Sequence, residues 1–331
     1  MKQEIMYDVQ EVKHLIGLGK PLLIAGDEQV LRELPPGNWI GGTSPYFMTE
    51  DRCLFTQEKV CVTRLPEYVT DTSVRVYDEK TLADVYTDSP ENGFSFIIIP
   101  GLSRTHLSFA LNAPNYKGFA TRPLIGWISG ISEEGPEQTV PRVFSGQKGD
   151  PLEEGAVVMH VHLPANKAAE ISLFNLFEQG DGDEITFSED GFKAATAQIN
   201  GETVNIAEYM LKNKLDTKLP LVADYYGTMI NTSIREIDER NGQVRLYAPV
   251  FKNVAYRHAR PVGDYVTQFT ARMSENDVSG QLVFSCNCFL NYLYSELEGK
   301  TLQGFTGPIT FGEIAYQLLN QTMTCLTIED I

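Results

Sequence analysis

Glu313 lies in the run Phe311-Gly312-Glu313-Ile314, between a glycine turn and an apolar stretch. A carboxylate so placed can take a ligand amine or act as a base. It can equally satisfy backbone amides at the start of a helix. Soon after come Asn320, Gln321 and Thr322, whose amides and hydroxyl suit the polar ends of an amino acid or the backbone of a neighbouring strand. The segment is otherwise apolar enough for a core. Burying a polar group unpaired costs roughly 1–3 kcal/mol, so these side chains need partners or a ligand. Two turns share the pattern Gly-x-Thr-x-Pro, one over Gly41–Pro45 and one over Gly304–Pro308. With Gly41, Gly42, Thr43, Gly304 and Thr306 they complete a candidate ligand-binding set around Glu313, Asn320 and Thr322.

Cys286 and Cys288 stand two apart and share one face of a strand. Cys286 beside Glu313 is the alternative catalytic arrangement, a thiol nucleophile with a carboxylate. The spacing is not the Cys-x-x-Cys of zinc or redox sites, and buried cysteine commonly serves as a small hydrophobe. His160 and His162 alternate with apolar residues on one strand, a spacing metal sites use, but no third ligand is assigned. The expectation for them is a face toward solvent or an interface, with no metal. Gly41-Gly42-Thr43-Ser44 lacks both the P-loop ending and the dinucleotide spacing. No resident cofactor is expected.

The elements that position these residues read as follows. Pro21–Gly26 is a short buried strand, Asp27 caps a helix over Glu28–Leu34, and Asn38–Phe47 is a strand running into the first turn. Gln281–Cys286, a helix over Leu290–Leu297 and the strand Thr301–Pro308 repeat that order. The echo implies an internal duplication and two related halves, with turns from both lining one cleft. Phe94–Pro100, Leu124–Ser129 and Ala156–Leu163 are further strands, Ser103–Leu111 is a helix, and Asn200-Gly201 and Asn241-Gly242 mark hairpin turns. The class is mixed α and β (α+β), largely antiparallel or mixed sheet with covering helices, without a simple strand–helix–strand repeat. Gly180–Glu184 is the linker candidate, giving domains 1–190 and 191–331.

With 331 residues and 42% hydrophobic content the chain exceeds one ordinary core. A net charge of −17 argues against nucleic acid and anionic membrane partners. Residues 1–12 lack the apolar core of a signal peptide, and five cysteines suit a reducing cytoplasm.

Pro21–Phe47 resembles the opening of the FIST N-terminal domain, and Ile199–Tyr209 that of the FIST C-terminal domain. Phe284-Ser285-Cys286 resembles the Cys-bearing strand of the latter. Gly304-Phe305-Thr306, Phe311-Gly312-Glu313-Ile314 and Asn320–Thr324 match its closing motif. The Arg that often follows the strand cysteine in that family is missing, and residues 50–180 match poorly. The resemblance implies a non-enzymatic intracellular sensory protein for a small polar ligand such as an amino acid. Its signal would leave through a separate signalling protein, since no signalling module is attached. Haem-dependent gas sensing is a further alternative, although no axial ligand stands out.

Overall fold

The computed structural model describes residues 4–132, 139–225, 227–275, 280–302 and 304–331. The class is mixed α/β, with several mixed and antiparallel sheets and few helices. Three strand–helix–strand units carry it. In the first, Leu22–Gly26 passes through the helix Glu28–Arg32 to the parallel strand Trp39–Thr43. In the second, Gly93–Pro100 passes through Arg104–Asn112 to the parallel Leu124–Ser129. In the third, Gln281–Cys288 passes through Phe289–Tyr294 to the parallel Gly307–Thr310. Asp27 and Ser103 cap their helices by accepting the N–H of Gln29 and His106. The expected absence of such a repeat is therefore corrected. The three helices are legible in the sequence, but the parallel pairing of the strands on either side of each is not marked by any local pattern.

Each unit then sends a hairpin into the sheet of another. Tyr46–Met48 pairs with Gly307–Thr310, Val143–Ser145 with Trp39–Thr43, and Glu313–Ala315 with Leu124–Ser129. The chain returns antiparallel to its own first strand, as Val60–Arg64, Ala156–His162 and Met323–Asp330. Three six-stranded sheets result, linked cyclically by exchanged hairpins. The echo between Pro21–Phe47 and Gln281–Pro308 is thus one relation within a threefold repetition. The middle copy has diverged beyond a shared turn motif. The third sheet holds the exchanged Tyr46–Met48 and Cys53–Phe55 beside Lys167–Phe174 and strands from residues 281–330.

Glycine fixes the equivalences. A Cβ at Gly41 would lie 2.7 Å from the carbonyl of Ile24, one at Gly126 1.7 Å from that of Ile97, and one at Gly307 2.0 Å from that of Ser285. In each unit the two parallel strands approach too closely for a side chain there. Gly41 therefore matches Gly307, not Gly304, and the Gly-x-Thr-x-Pro alignment is shifted by three residues. Pro45 follows its strand, whereas Pro308 lies within one. Gln303, in the strand expected over Thr301–Pro308, lies outside the described residues.

The inner faces of the three sheets meet in one core containing Leu23, Phe96, Trp127, Met159, Phe284 and Leu326. Helices cover the outer faces, with Leu31 on the first sheet, Phe109 on the second, and Phe269 and Phe289 on the third. Full burial of each such side chain contributes about 1.5–3 kcal/mol. Between Lys167–Phe174 and Gln281–Cys288 the third unit carries inserted strands with their own core around Ile206, Leu221 and Tyr256. The Asn-Gly turns shape hairpins there, Asn200 and Gly201 both having positive φ. The Gly180–Glu184 stretch is tied to this insertion through Gly180 N–H to His258 O and Tyr209 OH to Asp183.

Candidate functional site

Counting on from the glycines, Ser44, Ser129 and Thr310 occupy one equivalent position. All three hydroxyls are buried. Ser44 Oγ donates to Ile309 O at 2.5 Å, joining the first and third units. Ser129 Oγ has no hydrogen-bond partner among the described residues. Thr310 Oγ1 lies 3.4 Å from Glu313 Oε1. The hairpin strands extend the correspondence, because Tyr46 pairs with Ile309 while Gly312 O accepts from Ile128 N and Arg142 O from Thr43 N. The next residue in each hairpin is Phe47, Glu313 or Val143. Phe47 and Val143 belong to the central core, so Glu313 is a carboxylic acid in a place that is apolar twice over.

Glu313 has no exposed surface and lies across from Trp127 in the ladder. Thr322 donates to Oε2 from its backbone N at 3.2 Å and from Oγ1 at 2.9 Å. No basic side chain pairs with it among the described residues. Burial raises its pKa from 4.5 to about 8, and the Thr322 and Thr310 hydrogen bonds oppose that rise only in part. At neutral pH the group is mainly the protonated acid, able to donate one hydrogen bond and accept others.

Two buried asparagines are linked to this carboxyl through Thr322 and Thr310. Asn291 Nδ2 donates to Asn287 Oδ1 at 3.0 Å and to Thr322 O at 3.3 Å. Among the described residues Asn291 Oδ1 has no hydrogen-bond partner and Asn287 Nδ2 has none of normal geometry, its nearest acceptor being the buried Tyr265 hydroxyl, although both asparagines are at most 1% exposed. Asn287 comes from the end of Gln281–Cys288 and Asn291 from the following helix. Neither is singled out by the sequence, where Asn287 sits between two cysteines, Cys286 and Cys288. The signal was two asparagines, Asn287 and Asn291, flanking a strand–helix junction in an otherwise apolar run.

The other expected site residues divide. Asn320 is turned to the insertion, where Oδ1 accepts from Ser233 N at 3.2 Å and its carbonyl from Asn231 Nδ2 at 3.0 Å. Gln321 does the same through Ser233 Oγ and Lys218 O. Gly41, Gly42 and Thr43 are buried in the strand Trp39–Thr43, where a Cβ on Gly42 would crowd Ile98, Trp127 and Ser129. Gly304 is an exposed turn residue, and Thr306 accepts from Ser285 Oγ through its carbonyl. The fold thus joins Glu313 to Thr322, with Asn320 one step removed on Cys288 Sγ at 3.9 Å.

Cys286 faces the core, its Sγ within 3.2 Å of Thr324 Oγ1 and 3.6 Å of Gly126 O. Burial first, then the nearby Glu313 carboxyl, push its thiol well above the usual range, the opposite of an activated nucleophile. His160 is not on a solvent face. Helices cover the outer side of its sheet, and the imidazole is buried between Ser95 Oγ at 2.7 Å and Tyr77 OH at 2.8 Å. His162 is exposed. No group of three or more His, Cys, Asp or Glu side chains able to hold a metal exists among the described residues.

One protein family matches residues 7–329, nearly the whole chain. The chain belongs to DUF6976, a family of unknown function. The FIST resemblance is corrected by that match, since no FIST domain is found. The runs that suggested it have local explanations here: Glu313 and Thr322 bind each other, and Asn320 and Gln321 fasten the insertion. No curated protein matches the chain. No helix among the described residues is long and apolar enough to cross a membrane.

Proposed function

We propose that this family member binds a small polar molecule at the junction of Glu313, Thr322, Asn287 and Asn291, without catalysing a reaction on it. The observation that carries this reading is the pair of buried amide atoms, the acceptor Asn291 Oδ1 without a partner and the donor Asn287 Nδ2 with only the Tyr265 hydroxyl near it, close to a carboxyl that has no cationic partner among the described residues. Leaving such atoms unpaired costs about 1–3 kcal/mol each. A ligand with both an amine and a carbonyl or carboxylate oxygen, such as an amino acid or its amide, complements all three groups. The amine would meet Glu313, and its charge would pull the raised pKa back down. Five free, buried cysteines support a reducing compartment, and we place the protein in the cytoplasm with a separate protein receiving its signal.

The test is a thermal-shift screen of amino acids and small amides at pH 7, run on the wild type and on Glu313→Gln, Asn287→Ala and Asn291→Ala. At least one compound is expected to raise the wild-type Tm in a saturable way and to lose that effect in the variants. Equal response in all three variants, or none in the wild type, overturns the assignment.

A further inference from the structure

A concavity lies at the start of the strand Gln281–Cys288, the opposite end from Asn287. It has a volume of about 560 Å³ and runs along the seam between the first and third sheets. Its walls come from the end of the helix Val9–Gly17, the segment after Val60–Arg64 and the opening residues of Gln281–Cys288. Leu15, Leu18, Leu65, Leu282 and Val283 make it apolar. Leu18, at the rim, is 58% exposed.

Two cations border these apolar walls, Lys20 and Arg64. The protein carries 44 acidic residues against 27 basic ones, and many of its exposed cations sit in ion pairs. Neither Lys20 nor Arg64 has a carboxylate within ion-pair reach among the described residues. Arg64 is held by the Tyr7 hydroxyl and lies 5.4 Å from the centre of the Tyr7 ring. That leaves the guanidinium ordered without neutralising it. Glu67 also lines the groove, so the balance of charge there is one positive in a protein of net −17.

We infer that this groove binds a single-chain amphiphile with an anionic head group, the alkyl chain lying on the leucines and the head meeting Lys20 and Arg64. The volume falls within the range of small-molecule sites, roughly 300–1,000 Å³. Apolar walls alone would take any hydrocarbon, and two cations alone any anion. Their combination in one groove selects for both. Arg64 presents planar paired donors suited to a carboxylate or phosphate, and Lys20 adds a mobile point charge.

The experiment is calorimetric titration of the full chain with decanoate below its micelle concentration. Decyl phosphate serves as a second anionic head, 1-decanol as a neutral chain, and acetate and inorganic phosphate as heads without chains. One decanoate per chain is expected, with decanol, acetate and phosphate each weaker by at least about tenfold. Lys20→Met and Arg64→Met should each weaken decanoate by about tenfold, and Lys20, being exposed and unpaired, can be changed without disturbing the fold. Vesicles of mixed zwitterionic and anionic lipid separate a free amphiphile from a membrane surface. No decanoate binding, equal binding of decanol, unchanged affinity in Lys20→Met, or binding to vesicles alone would each overturn the proposal.

Discussion

Glu313 occupies the place that Phe47 fills in the first unit, the same step of the same exchanged hairpin. Phe47 belongs to the shared core, whereas Glu313 carries a carboxyl into it and holds it with Thr322. A fold that accepts an apolar residue at this position twice does not need the acid for packing. Thr322, two buried asparagines and the carboxyl therefore form a local departure from the repeat, confined to one of three equivalent corners.

The departure has a pH signature. The folded-state pKa of Glu313 is raised from 4.5 to about 8, so the folded protein holds a proton that the unfolded chain releases between those values. Stability from this group is complete below about pH 4.5 and declines as pH rises toward 8, by at most about 1.4 kcal/mol per pH unit. Glu313→Gln keeps the amide isostere and cannot ionise. Urea unfolding of both proteins at pH 5, 6.5 and 8 should show the wild type losing ground to the variant as pH rises. Parallel curves would mean that the carboxyl is hydrated or paired.

Histidine should bend the other limb. His160 and His106 are both held to about 4 from an ordinary 6.5, chiefly by burial. Each lowered pKa means that the unfolded chain binds the extra proton first, so stability is full above about pH 6.5 and falls as pH drops toward 4. His160→Gln should flatten the acid limb at the cost of about 1–3 kcal/mol near neutrality, because the bonds from Ser95 and Tyr77 are rebuilt imperfectly. An acid limb of unchanged slope in that variant would remove His160 as its source.

The three close approaches of parallel strands give a sharper structural test. Gly126→Ala puts a methyl group against the Ile97 carbonyl, where no flexible side chain can yield. Its cost should exceed the 1–3 kcal/mol usual for overpacking and leave little folded protein. Gly149→Ala meets nothing within 4 Å and should change stability by no more than about 0.5 kcal/mol. Equal tolerance of both substitutions would contradict the glycine equivalences behind the threefold repetition.

What the sequence disclosed follows from the range of the forces involved. Asp27 as a cap, Asn200-Gly201 as a hairpin turn and Leu124–Ser129 as a strand are set by neighbours a few residues away, and they were legible. The exchange of hairpins between sheets was not, because Glu313 pairs with Trp127 across nearly two hundred residues and nothing local marks the partner. The duplication was visible only where Gly41 and Gly307 lie near similar turns. The second copy hides because residue 130 begins a longer connection than its counterparts have. His160 looked solvent-facing since alternation on Ala156–His162 suggests one wet face, whereas both faces of that central strand are covered.

The seam between the insertion and the three-sheet body combines apolar packing, with Ala315 and Leu319 in the insertion's core, and a cluster of buried amides that mutation can probe separately. Asn231 Nδ2 bonds the carbonyls of Asn320 and Gln321, and Asn320 Oδ1 takes Ser233 N. Asn231→Ala removes the donor and strands two buried carbonyls, for an expected loss of about 1–3 kcal/mol. Asn320→Ala should cost a similar amount, and the double variant less than the sum, because both act on one network. Hydrogen exchange distinguishes this from general destabilisation. Amides of Thr228–Thr232 should exchange faster in Asn231→Ala while those of Leu22–Gly26 keep their protection. Uniform acceleration across both strands would show that the insertion and the body unfold as one unit and that the seam has no separate stability.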